Sequence, residues 1–181
     1  YQPSQGYMFS FNQELPIYSD DLSIGNTLNI SKYHSVSDNL ILSGKLFLKS
    51  VNSIDDEVRV SRRIYIPSRN LRGFEPGKIG PKDGVEYVGG NFGSALNLNT
   101  TIPNVINGFE NIDLNIFLDA ATLREVDYDS SLESSQIRSA TGIAVNWFTV
   151  IGPLSFSYAI PLSKETTDQT ESFRFRIGTS F

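Results

Sequence analysis

Apolar and polar residues alternate with a period of two over stretches of about ten residues, and this constrains the chain more than any other feature. The pattern is clearest at the C-terminal end. There Phe173, Phe175, Ile177, Thr179 and Phe181 share one parity, and Ser172, Arg174, Arg176, Gly178 and Ser180 share the other. In an extended strand the two parities are opposite faces, one oily and one wet. The same split sets Leu40, Leu42, Leu46 and Leu48 against Ser43, Lys45 and Lys49, and Ile112, Leu114, Ile116 and Leu118 against Asp113, Asn115 and Asp119. The alternation predicts strands near 6–16, 27–36, 39–50, 92–102, 110–120, 137–148, 153–161 and 171–181, with almost no helix outside turns within 51–91.

Strands of about 9 to 11 residues exceed the globular norm and match what a tilted strand needs to cross a bilayer. The connections at 17–26, 37–38, 51–91, 103–109, 121–136, 149–152 and 162–170 alternate long and short. Outer-membrane barrels have this asymmetry, with short turns on the periplasmic rim and long loops outside, and a soluble barrel has no physical reason for it. The slightly negative mean hydropathy and the lack of a run of about 18 apolar residues exclude a spanning helix, but a barrel passes that test unseen.

The 51–91 connection bears on strand number. Eight strands close around an interior filled by side chains, whereas sixteen leave a channel that a folded-in loop can occupy. The expectation is a half-barrel over 1–181 with further strands upstream of Tyr1, because lipid does not tolerate unpaired strand edges. Tyr1, with no initiator Met and no apolar leader, reads as a cut end.

Other chemistries find little support. The 181 residues are 39% hydrophobic and 19% charged, as in folded proteins, and include no cysteine for a disulfide or thiolate site. A net charge of -5, with basic residues clustered only at Arg59, Arg62 and Arg63, argues against nucleic acid. Gly73 to Lys78 lacks the spacing and the Ser or Thr of a phosphate loop. His34 is the only histidine and reads as a strand residue. Asp127, Asp129 and Glu133, and the run Asp55, Asp56 and Glu57, lack the calcium-loop pattern and read as solvated loops. Asn29 and Asn99 open glycosylation triplets but fall inside strands. Tyr7, Trp147, Phe148, Tyr158 and Phe181, near strand ends, suit interfacial girdles.

Leu71-Arg72-Gly73-Phe74, followed by Gly80-Pro81, Asp83-Gly84 and Gly89-Gly90-Asn91, resembles the long loop of the BamA family of outer-membrane assembly and translocation barrels. The resemblance continues through Ile116-Phe117-Leu118-Asp119, Trp147-Phe148-Thr149 and Gly152-Pro153-Leu154-Ser155-Phe156-Ser157-Tyr158 to Phe173-Arg174-Phe175-Arg176-Ile177-Gly178 and Phe181. It implies an all-β fold of eight antiparallel transmembrane strands, the C-terminal half of a sixteen-stranded barrel. The Arg-Gly-Phe loop, Arg72, Gly73 and Phe74, would fold into the lumen, with Arg72 against Asp119 on the polar face. The family often has a second acid where this chain has Asn99, which weakens the expected ion cluster. Lys45, Asn97, Arg174 and Arg176 are expected on the same face.

The resemblance further implies a non-enzymatic factor of the bacterial outer membrane, working without metal or cofactor. It would insert or translocate β-barrel proteins through a lateral seam at Phe173, Phe175, Ile177, Gly178 and Phe181. Expected partners are outer-membrane lipid, unfolded β-barrel clients and periplasmic or lipoprotein accessory subunits, and no nucleic acid. A two-partner-type secretion pore of the same family and a passive porin-like barrel are the alternatives.

Overall fold

The computed structural model describes residues 3–16, 22–54, 57–106, 111–150 and 152–178. Ten strands are numbered in chain order: β1 (Gly6–Glu14), β2 (Ser23–Ser37), β3 (Leu40–Ser53), β4 (Lys82–Asp83), β5 (Glu86–Tyr87), β6 (Phe92–Ile102), β7 (Ile112–Arg124), β8 (Arg138–Thr149), β9 (Gly152–Ser163) and β10 (Phe173–Ile177). All but β4 and β5 form one eight-stranded antiparallel sheet in sequence order, with β1 and β10 as its edges. β4 and β5 make a small ribbon inside the connection from β3 to β6.

The ladder register converts the sequence alternation into rows across strands. Lys45, Asn97, Asp119 and Ala140 are successive partners on β3, β6, β7 and β8. Leu46, Leu96 and Ala120 form the adjacent row, pointing to the opposite face. The long 54–91 connection, here called the arm, covers part of the polar face. Phe47, Val51, Ala95, Ala121, Leu123 and Ala140 of the sheet pack there with Val58, Ile64, Ile66, Leu71, Phe74 and Ile79 of the arm. The main buried apolar core therefore lies between the arm and the sheet face it covers.

Element bounds depart from the sequence expectation where loop-like residues gain partners. β2 begins at Ser23 because Gly25 and Asn26, which resemble turn residues, pair with Val51 and Ser50. β7 extends to Arg124, since Ala121 and Leu123 are buried under the arm. The last strand, expected at 171–181, is a ladder of five residues. Glu171 leaves it because its N–H donates to Gly73 O on the arm, 3.1 Å away, and Gly178 is a bend. Thr179, Ser180 and Phe181 lie outside the described residues, as do Asp55 and Asp56. Single turns of 3-10 helix occur at Val60–Arg62 and at Ser130–Leu132, the second outside the arm.

Candidate functional site

The arm reaches the sheet at Arg72, Gly73 and Phe74. Arg72 Nε donates to Asp119 Oδ2 and Nη2 to Asp119 Oδ1, both at 2.7 Å, a bidentate fork that suits a planar guanidinium. The Arg72 N–H adds a bond of 3.1 Å to Asp119 Oδ2, and the guanidinium stacks 3.5 Å from the Phe117 ring centroid. Asn99 joins through its amide oxygen, which accepts from Arg72 Nη2 at 2.8 Å. An asparagine thus keeps the hydrogen bond that an acid would make, without the charge. Asn97 supplies a partner that motif reading did not single out: its Nδ2 donates to Asp119 Oδ1 at 2.8 Å and to Asn70 O at 2.9 Å. The ladder partnership of Asn97 with Asp119 was the available signal, and it needs the register.

Gly73 has a physical reason to be glycine. Its φ is +88°, and a Cβ there would lie 3.1 Å from the Cβ atoms of both Ala140 and Ala159. The arm's backbone lies directly on β8 and β9, whose small residues leave room for it. Phe74 is buried, which contributes roughly 1.5–3 kcal/mol, and bridges to Thr170 of the last long connection.

A second anchor was not foreseen. Arg138 at the start of β8 and Asp168 in the 164–172 connection are both fully buried; Arg138 Nε donates to Asp168 Oδ2 at 3.0 Å and Nη2 to Glu165 Oε2 at 2.7 Å. Asp168 also accepts from the N–H groups of Gly80 at 3.3 Å and Glu165 at 2.7 Å, and Tyr87 OH donates to Thr167 O. Main-chain bonds from Glu75 N to Gln169 O and from Gln169 N to Lys78 O complete the join. The last long connection is stitched to the arm as though they were one element.

At the arm's base, Arg63 Nη2 donates to Asp127 Oδ1 at 2.7 Å and the Val58 N–H to Asp127 Oδ2 at 2.6 Å. Burial pushes the Asp127 carboxyl up, but bonds from Val58 and Asn91 and the Arg63 charge prevail and hold it below the usual carboxylate range. Asp129 accepts from Ser131 N at 2.8 Å and caps the second 3-10 turn. Those two carboxylates are thus engaged in structure. Among the described residues no group of three or more His, Cys, Asp or Glu side chains is placed to hold a metal.

β10 is tied to the same tip. Arg174, on the polar parity, donates from Nη2 to Phe74 O at 2.6 Å, from Nη1 to Ser68 O at 3.1 Å and from Nε to Glu171 Oε2 at 2.9 Å. Lys45 and Arg176 share that face. Phe173, Phe175 and Ile177 are exposed on the other, Phe175 stacking on Phe156 at 4.8 Å between centroids. The Gly178 N–H donates to Pro153 O at 3.2 Å. Tyr7, Trp147 and Tyr158 are exposed on the apolar side. Phe148 is not: it shares parity with Asn146 and Ala144, so strand alternation turns it away from Trp147, and the girdle assignment fails there.

An antiparallel sheet with one apolar exposed face and one polar face, the latter pinned to a long folded-over arm, has the two-faced pattern of the β-barrel class found in bacterial outer membranes. The comparisons give the family: the Omp85 superfamily domain matches residues 1–181, and the chain belongs to that superfamily. It is 29% identical over 140 residues, 62% of its length, to the outer membrane protein assembly factor BamA of Neisseria meningitidis serogroup B (strain ATCC BAA-335 / MC58). The crystal structure of BamA from Haemophilus ducreyi lacking POTRA domains 1-3 superposes over 97% of the chain with a TM-score of 0.88 at 28% identity. The chain spans 18% of the Neisseria protein and 38% of the Haemophilus chain.

Proposed function

We propose that this chain forms the C-terminal eight strands of a sixteen-stranded transmembrane barrel that inserts β-barrel proteins into the outer membrane or moves them across it. The observation that carries this reading is the arm folded onto the polar face and pinned to β7 by the Arg72–Asp119 fork. A passive pore needs such an arm only as a constriction. An assembly barrel needs it to govern the wall, and Arg174 ties the same tip to the last strand.

β10 serves as one edge of a lateral seam in this reading. Among the described residues its ladder with β9 covers Phe173–Ile177, flanked by main-chain bonds from Ala159 N to Ser172 O and from Gly178 N to Pro153 O, although β9 runs from Gly152 to Ser163. A short, separable edge can template an incoming strand by β-augmentation, and Phe173, Phe175, Ile177, Gly178 and Phe181 are the residues proposed for that seam. Arg63 and Arg72 of the arm are held by Asp127 and Asp119, and the work proposed for the arm is mechanical and not enzymatic, with no metal or cofactor. Unfolded β-barrel clients, outer-membrane lipid and periplasmic or lipoprotein accessory subunits are the proposed partners.

The test is client assembly by the full-length protein. Arg72→Ala removes the partner of a fully buried carboxylate, at a cost of about 3 to 5 kcal/mol for a well-buried pair. It should increase protease access to 65–85 and reduce assembly of client barrels while the sheet persists. Arg72→Asp combined with Asp119→Arg should recover part of the loss. Wild-type assembly and unchanged arm protection in both Arg72→Ala and Asp119→Ala would remove the case and favour the passive pore. Retained insertion with lost export, or the reverse, separates an assembly factor from a secretion pore.

A further inference from the structure

We propose that the apolar face holds one glycerophospholipid, with an acyl chain in a groove over Gly44 and the phosphate on Lys32. The proposal rests on the membrane-wall reading above, because only a wall facing lipid offers this groove to a hydrocarbon chain. The groove, about 530 Å³ in volume, runs across β2, β3, β6 and β7. Lys32, Gly44, Leu98, Leu118 and Thr141 are register partners on successive strands, and Gly44 alone of that row has no side chain. Backbone of β3 is thereby left at the floor, with Leu98 Cδ2 3.6 Å from where a Gly44 Cβ would stand, and Leu42, Leu98, Ile116 and Leu118 line the groove with hydrocarbon. The neighbouring row, Ile30, Leu46, Leu96 and Ala120, has a side chain at every position. A gap in a lipid-facing wall forfeits dispersion contacts unless a chain enters it.

Charge fixes the orientation. Lys32 and His34 are the basic residues lining the groove, no acidic residue among the described residues lines it, and the two stand in the second half of β2, which ends at Ser37. Beyond Ser37 the chain turns within two residues to Leu40. Short turns mark the periplasmic rim of outer-membrane barrels, so both residues stand in the half of β2 nearer the head groups of the periplasmic leaflet. A lysine reaches that level by extending its stem along apolar surface. Lys32 Nζ lies 5.4 Å from the centroid of the Tyr7 ring, an amphipathic group suited to the same depth. An ammonium lining an acid-free apolar groove is the complement of a lipid phosphodiester joined to its chain.

The experiment uses the full-length protein in bilayers of phosphatidylethanolamine and phosphatidylglycerol, with co-extracted phospholipid counted by native mass spectrometry. Wild type should retain one phospholipid. Gly44→Leu, which fills the groove, and Lys32→Gln, which removes the cation, should each lower retention about tenfold, a change of about 1.4 kcal/mol. Ala120→Leu adds comparable bulk to the same face outside the groove, and Lys49→Gln removes a charge from the polar face; both should retain the lipid. Equal retention by Gly44→Leu and Ala120→Leu overturns the groove. Loss in Gly44→Leu with full retention in Lys32→Gln overturns the head-group assignment. A nitroxide on Ile143→Cys, beside the groove, tests the wall separately. Oxygen-dominated relaxation there, together with unchanged retention in the variants, sinks this proposal and leaves the membrane wall standing; water-dominated relaxation sinks both.

Discussion

On β7, Ile116 and Leu118 are 48% and 43% exposed, whereas Asn115 and Asp119 are 4% and 0% exposed. A water-soluble sheet packed on a core shows the opposite arrangement, with its apolar residues covered. The difference between the faces lies in what satisfies each. The apolar face needs only a hydrocarbon solvent. Around Asp119 the polar face is buried by the arm, and a buried polar group costs free energy unless it has a partner. Asp119, Asn97 and Arg72 supply those partners to one another, and the arm's register on the sheet follows from that requirement.

The largest effect that could break this contrast is expected at Arg138, where both ends of the ion pair are fully buried. Arg138→Ala strands Asp168 and should cost toward the upper part of about 3 to 5 kcal/mol. Hydrogen exchange on the full-length protein should show protection lost together around Gly80 and across 164–172. Loss in 164–172 alone would mean that the two segments are not held as one.

A somewhat smaller effect sharpens the assignment of faces. Leu114→Arg places a charge on the apolar side and should cost roughly 2 to 4 kcal/mol near a bilayer midplane, while Asn115→Arg, one residue along on the polar side, should be far milder. Refolding of the full-length variants into bilayers measures both. Equal costs would contradict the parity.

The smallest effect concerns the arm's base, away from both faces. The Asp127 carboxyl is held below its ordinary value, so it contributes stability that is complete above the unfolded pKa, near 3.9, and is lost as pH falls through the lower folded one. Protection of 57–66, corrected for intrinsic exchange, should therefore decline only below about pH 4. Asp127→Asn should abolish that decline. Persistence of the decline in Asp127→Asn would assign it to another carboxylate.

The sheet was legible from the chain because alternation reports faces directly: Asp119 falls opposite Leu118 by parity alone. Arg72 and Asp119 were legible as a pair only through the resemblance of the loop motif, since nothing in their separation of 47 residues brings them together. Arg138 and Asp168 carried no motif. Asp168 sits in a polar connection that reads as solvated loop, and its burial depends on the arm lying against it. The start of β10 at Phe173 and not at Glu171 has a similar origin, because Glu171 bonds the arm, a competition that strand periodicity does not register.

Arg174 gives the short last strand a direction of unzipping. Among the described residues the ladder runs to Ile177 opposite Leu154, and the bonds that hold Ser68 O and Phe74 O sit at Arg174, near the other end. Peeling that starts at Gly178 breaks a few main-chain bonds and then meets a side-chain fork fastened to the arm. Peeling from the Phe173 end meets that fork at once. In the seam proposed above, the strand would act as a zipper with its stop at the arm, and travel past the stop would pull directly on the backbone beside Gly73.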